Sequence, residues 1–216
     1  MTDNPIFIIA AVFGSILASM TLHEAMHAFT SYWLGDDTAK YEGRLSLNPI
    51  KHIDPFLTVL LPLSLLFFNF SSLASGRVPI IGAAKPVPFN PERVKWGDFG
   101  AALVGLAGPA TNLLLAVLTA GLLQIFGAAG GDTVTQLLLI FLQVNIGFFV
   151  FNMIPFPPLD GSRALYALAP DPVREVMRQI ESFGLAGIFI FLFLLFPVLS
   201  PILFDINTSI LRFLLG

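Results

Sequence analysis

Five apolar stretches leave this chain little to fold into besides a membrane protein. They run from Pro5 to about Leu34, Phe56 to Ser75, Phe99 to Phe126, Thr133 to about Ile154, and Phe183 to Phe204. Each reaches or exceeds the length of about 20 residues that a helix needs to cross the hydrocarbon. Composition agrees, with 56% hydrophobic residues, 12% charged residues and a mean hydropathy of +0.83. A soluble core cannot hide that much apolar surface. The expected fold is therefore an all-α polytopic membrane protein with four to five transmembrane helices. The N-terminal "MTDNPIFIIAAVFG" lacks the basic n-region and cleavage site of a signal peptide, so it is expected to begin as a retained helix. A net charge of −3 without any basic run argues against nucleic acid as a partner. With no cysteine, disulfides and thiolate metal sites are excluded.

Charge sets the expected topology. If all five stretches cross, the basic groups at 40–51 and 77–95 fall on opposite faces. If Phe56–Ser75 is instead re-entrant, bent near Pro62, ten of the eleven Lys and Arg lie inside and only Arg212 lies outside. The positive-inside rule favours this arrangement, with a plain fifth crossing as the alternative. The Pro- and Gly-rich segment 76–98 cannot be helical throughout. Its portion near 78–90 is expected to be extended or a short β-hairpin, packed on protein or lining a cavity.

Within the first stretch, "TLHEAMHAF" sets two of the three histidines four residues apart. On a helix, His23 and His27 share a face one turn apart and can reach one metal ion. Glu24 beside them can act on a metal-activated water without being a ligand. This is the H-E-x-x-H arrangement of zinc peptidases. The chemistry needs these groups because zinc lowers the pKa of water to about 7 and the glutamate can move its proton. A chance match is disfavoured, because each ionisable residue inside an apolar helix costs a few kcal/mol.

A catalytic zinc site takes three protein ligands. The candidates for the third are a carboxylate and His52. Asp160 follows the fourth apolar stretch, in "FNMIPFPPLDGSRAL", at the depth of His23 in the preferred topology. An equally open reading makes Asp160 the N-cap of the helix that follows. His52 lies in the charged "NPIKHIDPF" loop and is read as structural.

HEAMH in the first span and "NMIPFPPLDG" ending a later one resemble the site-2 protease family of intramembrane zinc metalloproteases, whose second motif is N-x-x-P-x-x-P-L-D-G. A third family feature, G-P-x-x-N, reads Gly108, Pro109, Ala110, Thr111, Asn112. The resemblance covers about residues 5–165. It implies that His23, His27 and Asp160 bind one zinc ion per chain and that Glu24 is the general base. It further implies that Asn112 and Asn152 face the site, holding substrate or orienting site groups. Amides facing lipid are costly, which also argues for inward-pointing asparagines. Asn145 shares the face of Asn152, with helix packing as an equal reading. The chain departs from the fuller family pattern in lacking an inserted peptide-binding domain. Its insertion containing "NPIKHIDPF" and Phe56–Ser75 also exceeds a minimal core.

The chain is thus expected to form a single membrane metalloprotease domain over 1–216, with its catalytic core at about 5–165 and an accessory helix at about 181–205. Its partners would be the lipid bilayer and a transmembrane protein or peptide substrate, cleaved in or near its membrane segment. The "VPIIGAAKPVPF" stretch offers an edge for an unwound substrate strand. A prokaryotic inner membrane is the expected location, with the site toward the cytoplasm. The rival readings are a non-hydrolytic metal-binding membrane protein, against which the intact Glu24 argues, and a small transporter, against which the lack of an internal repeat argues.

Overall fold

The computed structural model describes residues 5–54, 85–126 and 131–216. Helix α1 spans Pro5–Trp33, with a single turn, α2, at Thr38–Tyr41 and a 3₁₀ turn at Pro49–Lys51. Helix α3 spans Gly97–Phe126 and α4 Gly131–Asn152. The short α5 (Gly161–Leu168) and the amphipathic α6 (Asp171–Ser182) follow. A last long helix is built from α7 (Leu185–Ile190), one π turn (Phe191–Leu195) and α8 (Phe196–Leu215).

Four helices are long and apolar enough to span a membrane: Ile6–Trp33, Gly97–Phe126, Thr133–Asn152 and Ala186–Leu215. They match four of the five apolar stretches. The fifth, Phe56–Ser75, lies outside the described residues, and so does its choice between crossing and re-entry. No strand occurs among the described residues; 85–90 are irregular, and the rest of the 78–90 stretch lies outside them.

Packing is helix against helix. Helix α3 is central, touching α1, α4, α5 and α8. Ala116 and Ala120 of α3 let α4 approach, and Leu142, Ile146 and Val150 fill the seam. Lipid is as apolar as these side chains, so close packing of small residues holds such a bundle rather than escape from water. Leu203, Ile210 and Leu211 of α8 cover the same seam from the other side. The outward faces carry Leu114, Leu118, Ile125, Ile202 and Phe204, exposed as lipid-facing residues should be.

The last helix runs further than its sequence suggests, to Leu215 rather than Phe204. Directly after the π turn, Pro197 sits in the first turn of α8. Pro201 lies inside it and deprives the Pro197 carbonyl of its donor one turn on. The Ser200 hydroxyl donates to that carbonyl at 3.1 Å and repairs the ladder.

One end of the bundle collects the charge. Lys95 N–H donates to the Leu34 carbonyl at 2.9 Å, Asn90 N–H to Asp36 at 2.7 Å, and Arg174 pairs with Asp98 at 2.9 Å. These bonds draw 34–54, 85–98 and 160–182 together. Arg77 lies outside the described residues; every other Lys and Arg except Arg212 belongs to this end. Arg212 sits at the opposite end, where Gln124 donates to the Leu214 carbonyl. Buried Arg44 donates to the carbonyls of Lys51, Lys85 and Pro86, and Lys85 N–H to that of His52. The chain entering residue 55 and the chain leaving residue 84 are therefore clasped side by side.

Candidate metal centre

His23 and His27 lie ten and six residues before Trp33 at the end of α1, so they sit about 15 and 9 Å below the charged end at 1.5 Å per residue. Asp160 reaches this depth because the chain after α4 turns into the bundle. The Pro157–Pro158 bond is cis, and α5 then packs on the first third of α3. Gly161 permits the turn. A Cβ there would stand 2.5 Å from the Met153 carbonyl oxygen, so any side chain would push Asp160 away.

Three donor atoms converge. His23 Nε2 is 3.0 Å from His27 Nε2 and 3.0 Å from Asp160 Oδ2, and His27 Nε2 is 3.4 Å from that same oxygen. Tetrahedral zinc with ligand bonds of about 2.0–2.1 Å spaces its donors about 3.3–3.4 Å apart. The triangle fits that size.

The outward bonds of the two rings set their tautomers. His27 Nδ1 lies 2.7 Å from the Val104 carbonyl, which can only accept, so Nδ1 carries the proton and Nε2 a lone pair. His23 Nδ1 lies 2.6 Å from Asn112 Oδ1. Asn112 in turn donates to Asn145 Oδ1 at 2.9 Å, and Asn145 donates to the Phe141 carbonyl at 2.9 Å. That last acceptor fixes the direction of the whole row, so His23 also presents a lone pair inward. Two imidazole lone pairs and a carboxylate facing one another repel unless a cation sits among them.

The remaining residues fit an ion as well. Gly108 forms the floor: a Cβ there would stand 2.6 Å from His23 Nε2 and would also overlap His27 Nε2. Glu24 is buried beside the triangle, with its Oε2 lacking any hydrogen-bond partner among the described residues. An unpaired buried carboxylate oxygen is costly, which suits a group held in reserve for a substrate or water.

Of the sequence candidates, His23, His27 and Asp160 come together as the group able to hold a metal among the described residues. Asn112 joins them through His23. Asp160 occupies the N-cap position of α5 but makes no capping bond, its carboxylate being turned to the histidines. His52 stands apart: it is fully buried and its Nε2 bonds the Ser46 carbonyl at 2.7 Å. Asn152 makes no described bond to the triangle. Its Nδ2 donates to the Phe148 carbonyl at 3.0 Å, and the Phe148 ring lies 6.2 Å from that of His23. The sequence did not point to Val104, which acts through its main chain and leaves no residue-type signal. Gly108 was visible only as part of a motif.

No protein-family model matches the chain, and no solved structure matches it. Curated relatives do. The chain is 40% identical over 177 residues to "Putative zinc metalloprotease YwhC" of Bacillus subtilis, covering 79% of this chain and 74% of the relative. It is 30% identical over 197 residues to "Putative zinc metalloprotease Rip2" of Mycolicibacterium smegmatis, covering 90% and 70%. To the Rip2 of Mycobacterium tuberculosis it is 31% identical over 203 residues, again covering 90% and 70%. With four helices long and apolar enough to span a membrane and its paired histidines on the first of them, the chain belongs to the site-2 protease family of intramembrane zinc metalloproteases.

Proposed function

We propose that this protein is an intramembrane zinc endopeptidase that hydrolyses peptide bonds in or near transmembrane segments of other proteins. The observation that carries the proposal is the inward-facing triangle of His23, His27 and Asp160, with its rings held in the ligating tautomer. These three residues would hold one zinc ion per chain. When bound, the ion supplies Lewis acidity, which makes water a usable nucleophile near neutral pH.

The protein's own groups would do the rest. Glu24 accepts the proton of the attacking water at its uncommitted Oε2 and returns it to the leaving amine. Asn112 holds His23 in position. Asn152, with its Nδ2 committed to Phe148, offers its carbonyl end to a substrate N–H. The site lies about 9–15 Å below the charged end of α1, a depth that water can reach and that lies within a substrate's membrane segment. A helical substrate must unwind there, because helical hydrogen bonds occupy its carbonyls.

The positive-inside rule assigns the charged end to the cytoplasm, and a prokaryotic inner membrane is the proposed location. Residues 5–165 would form the catalytic core of a single domain. The last helix, packed on α3 and α4, would be accessory to it.

The test compares wild type with Glu24→Gln in vesicles holding a single-span membrane protein that the wild type cleaves. The variant should retain about one zinc per chain and lose at least about a hundredfold in rate, the smaller end of a general base's contribution. Cleavage at the wild-type rate would sink the proposal.

A further inference from the structure

We propose that Asn145 is a positioning residue for the metal centre, fixing the tautomer of His23 from two residues away. The inference rests on the zinc reading above and adds to it a residue outside the motifs.

Asn145 is fully buried on α4, facing α3. A buried amide has two ends, and which end points where follows from its partners. The Phe141 carbonyl, one turn back on the same helix, can only accept, so the Asn145 Nδ2 must face it, at 2.9 Å. That turns Asn145 Oδ1 toward Asn112 and forces the Asn112 Nδ2 to donate, again at 2.9 Å. Asn112 then has only its Oδ1 to offer His23 Nδ1, at 2.6 Å. The proton of His23 is thereby held on Nδ1, and Nε2 stays free to ligate.

Remove the Asn145 side chain and this direction is lost. Asn112 can rotate by half a turn about its amide and present its Nδ2 to His23, which would favour the tautomer with Nε2 protonated. That proton would occupy the ligand position. His27 has no such dependence, since a main-chain carbonyl holds it and cannot turn around. The orientation of His23's partner, Asn112, is therefore the variable one. Partners of this kind are commonly worth tenfold to a hundredfold in metal affinity.

The experiment measures zinc affinity in detergent by competition with a chromogenic chelator, alongside thermal unfolding of the zinc-free protein. The variants are Asn145→Leu, Asn145→Ser, Asn112→Leu and the double variant Asn112→Leu with Asn145→Leu. Asn145→Leu keeps the branching and the number of heavy atoms and removes both bonds. Asn145→Ser can still bond the Phe141 carbonyl one turn back but is too short to reach Asn112, and it serves if leucine does not fold.

Either Asn145 variant should bind zinc about tenfold to a hundredfold more weakly. The double variant should be no weaker than Asn112→Leu alone, because Asn145 acts only through Asn112. If Asn145 merely glues helices together, zinc-free stability will fall while zinc affinity stays within twofold of wild type, and the proposal is overturned. Losses that add in the double variant overturn it as well. A wild type that binds no zinc, or a His23→Ala variant that binds it normally, removes the underlying metal reading and this inference with it. Loss of the inference alone leaves wild-type binding intact, so the two failures are distinguishable.

Discussion

Gly108 lies directly against His23, so close that a single methyl group on its Cα would stand 2.6 Å from the ligating Nε2. The glycine of the G-P-x-x-N motif is thus the floor of the metal centre, and the asparagine four residues on is its side support. Gly108→Ala should disrupt zinc binding outright, because both imidazoles would have to leave their outward hydrogen bonds to make room. Zinc per purified chain should fall from about one to well below one. A variant with full zinc content would mean that the helices part easily here.

Metal binding should stabilise the fold through linkage. At free zinc one hundred times the Kd, the gain is about 2.7 kcal/mol. Thermal unfolding with and without a chelator should show that gain in wild type. It should vanish in Asp160→Ala, which removes one corner of the donor triangle. His52→Ala should keep the zinc-dependent gain, because its ring lies elsewhere, bonded to Ser46.

The charged end has its own acid-sensitive joint. Burial opposes the charge on Asp36, but bonds from the Thr38 hydroxyl and from the Asn90 and Thr38 amides, with Arg93 nearby, hold its carboxyl below the ordinary value. Because the folded-state value is depressed, its stabilisation is present above the unfolded value near 3.8 and is lost as pH falls through the lower folded value. Asp36→Asn should cost about 1–3 kcal/mol at pH 7, with wild type and variant converging in strong acid. A pH-independent difference between their unfolding curves would contradict this account.

Orientation can be read directly because the chain contains no cysteine. Single cysteines replacing Lys40, Arg93 or Arg178 should react with a membrane-impermeant maleimide from one face only, the cytoplasmic one. A cysteine replacing Arg212 should react from the other. Labelling of positions 40 and 178 from opposite faces would contradict the gathering of charge at one end.

Much of this arrangement was legible beforehand, for identifiable reasons. Bilayer thickness fixes helix length, so the apolar runs gave four of the spans. Helical periodicity put His23 and His27 on one face. The charge-based topology set Asp160 at their depth without reference to any metal. What stayed hidden depended on individual bonds. The even choice for Asp160 between capping α5 and joining the histidines turns on which way one carboxylate points. The same holds for Asn145, whose polarity alone left helix packing and a substrate role equal and gave no sign of the row leading to His23. The final stretch was ended at Phe204, where the apolar run meets Asp205, yet the helix passes Pro201 and runs on to Leu215. The Ser200 hydroxyl that lets it continue is a contact, and composition cannot display it.

The clasp of Arg44 around the carbonyls of Lys51, Lys85 and Pro86 also ties the chain that follows α1 to the chain that precedes α3. The histidines ride on the first of these helices, and their supports Val104, Gly108 and Asn112 on the second. One guanidinium at the charged end thus acts as a tie-bar that keeps ligands and supports in register some distance deeper in the bundle.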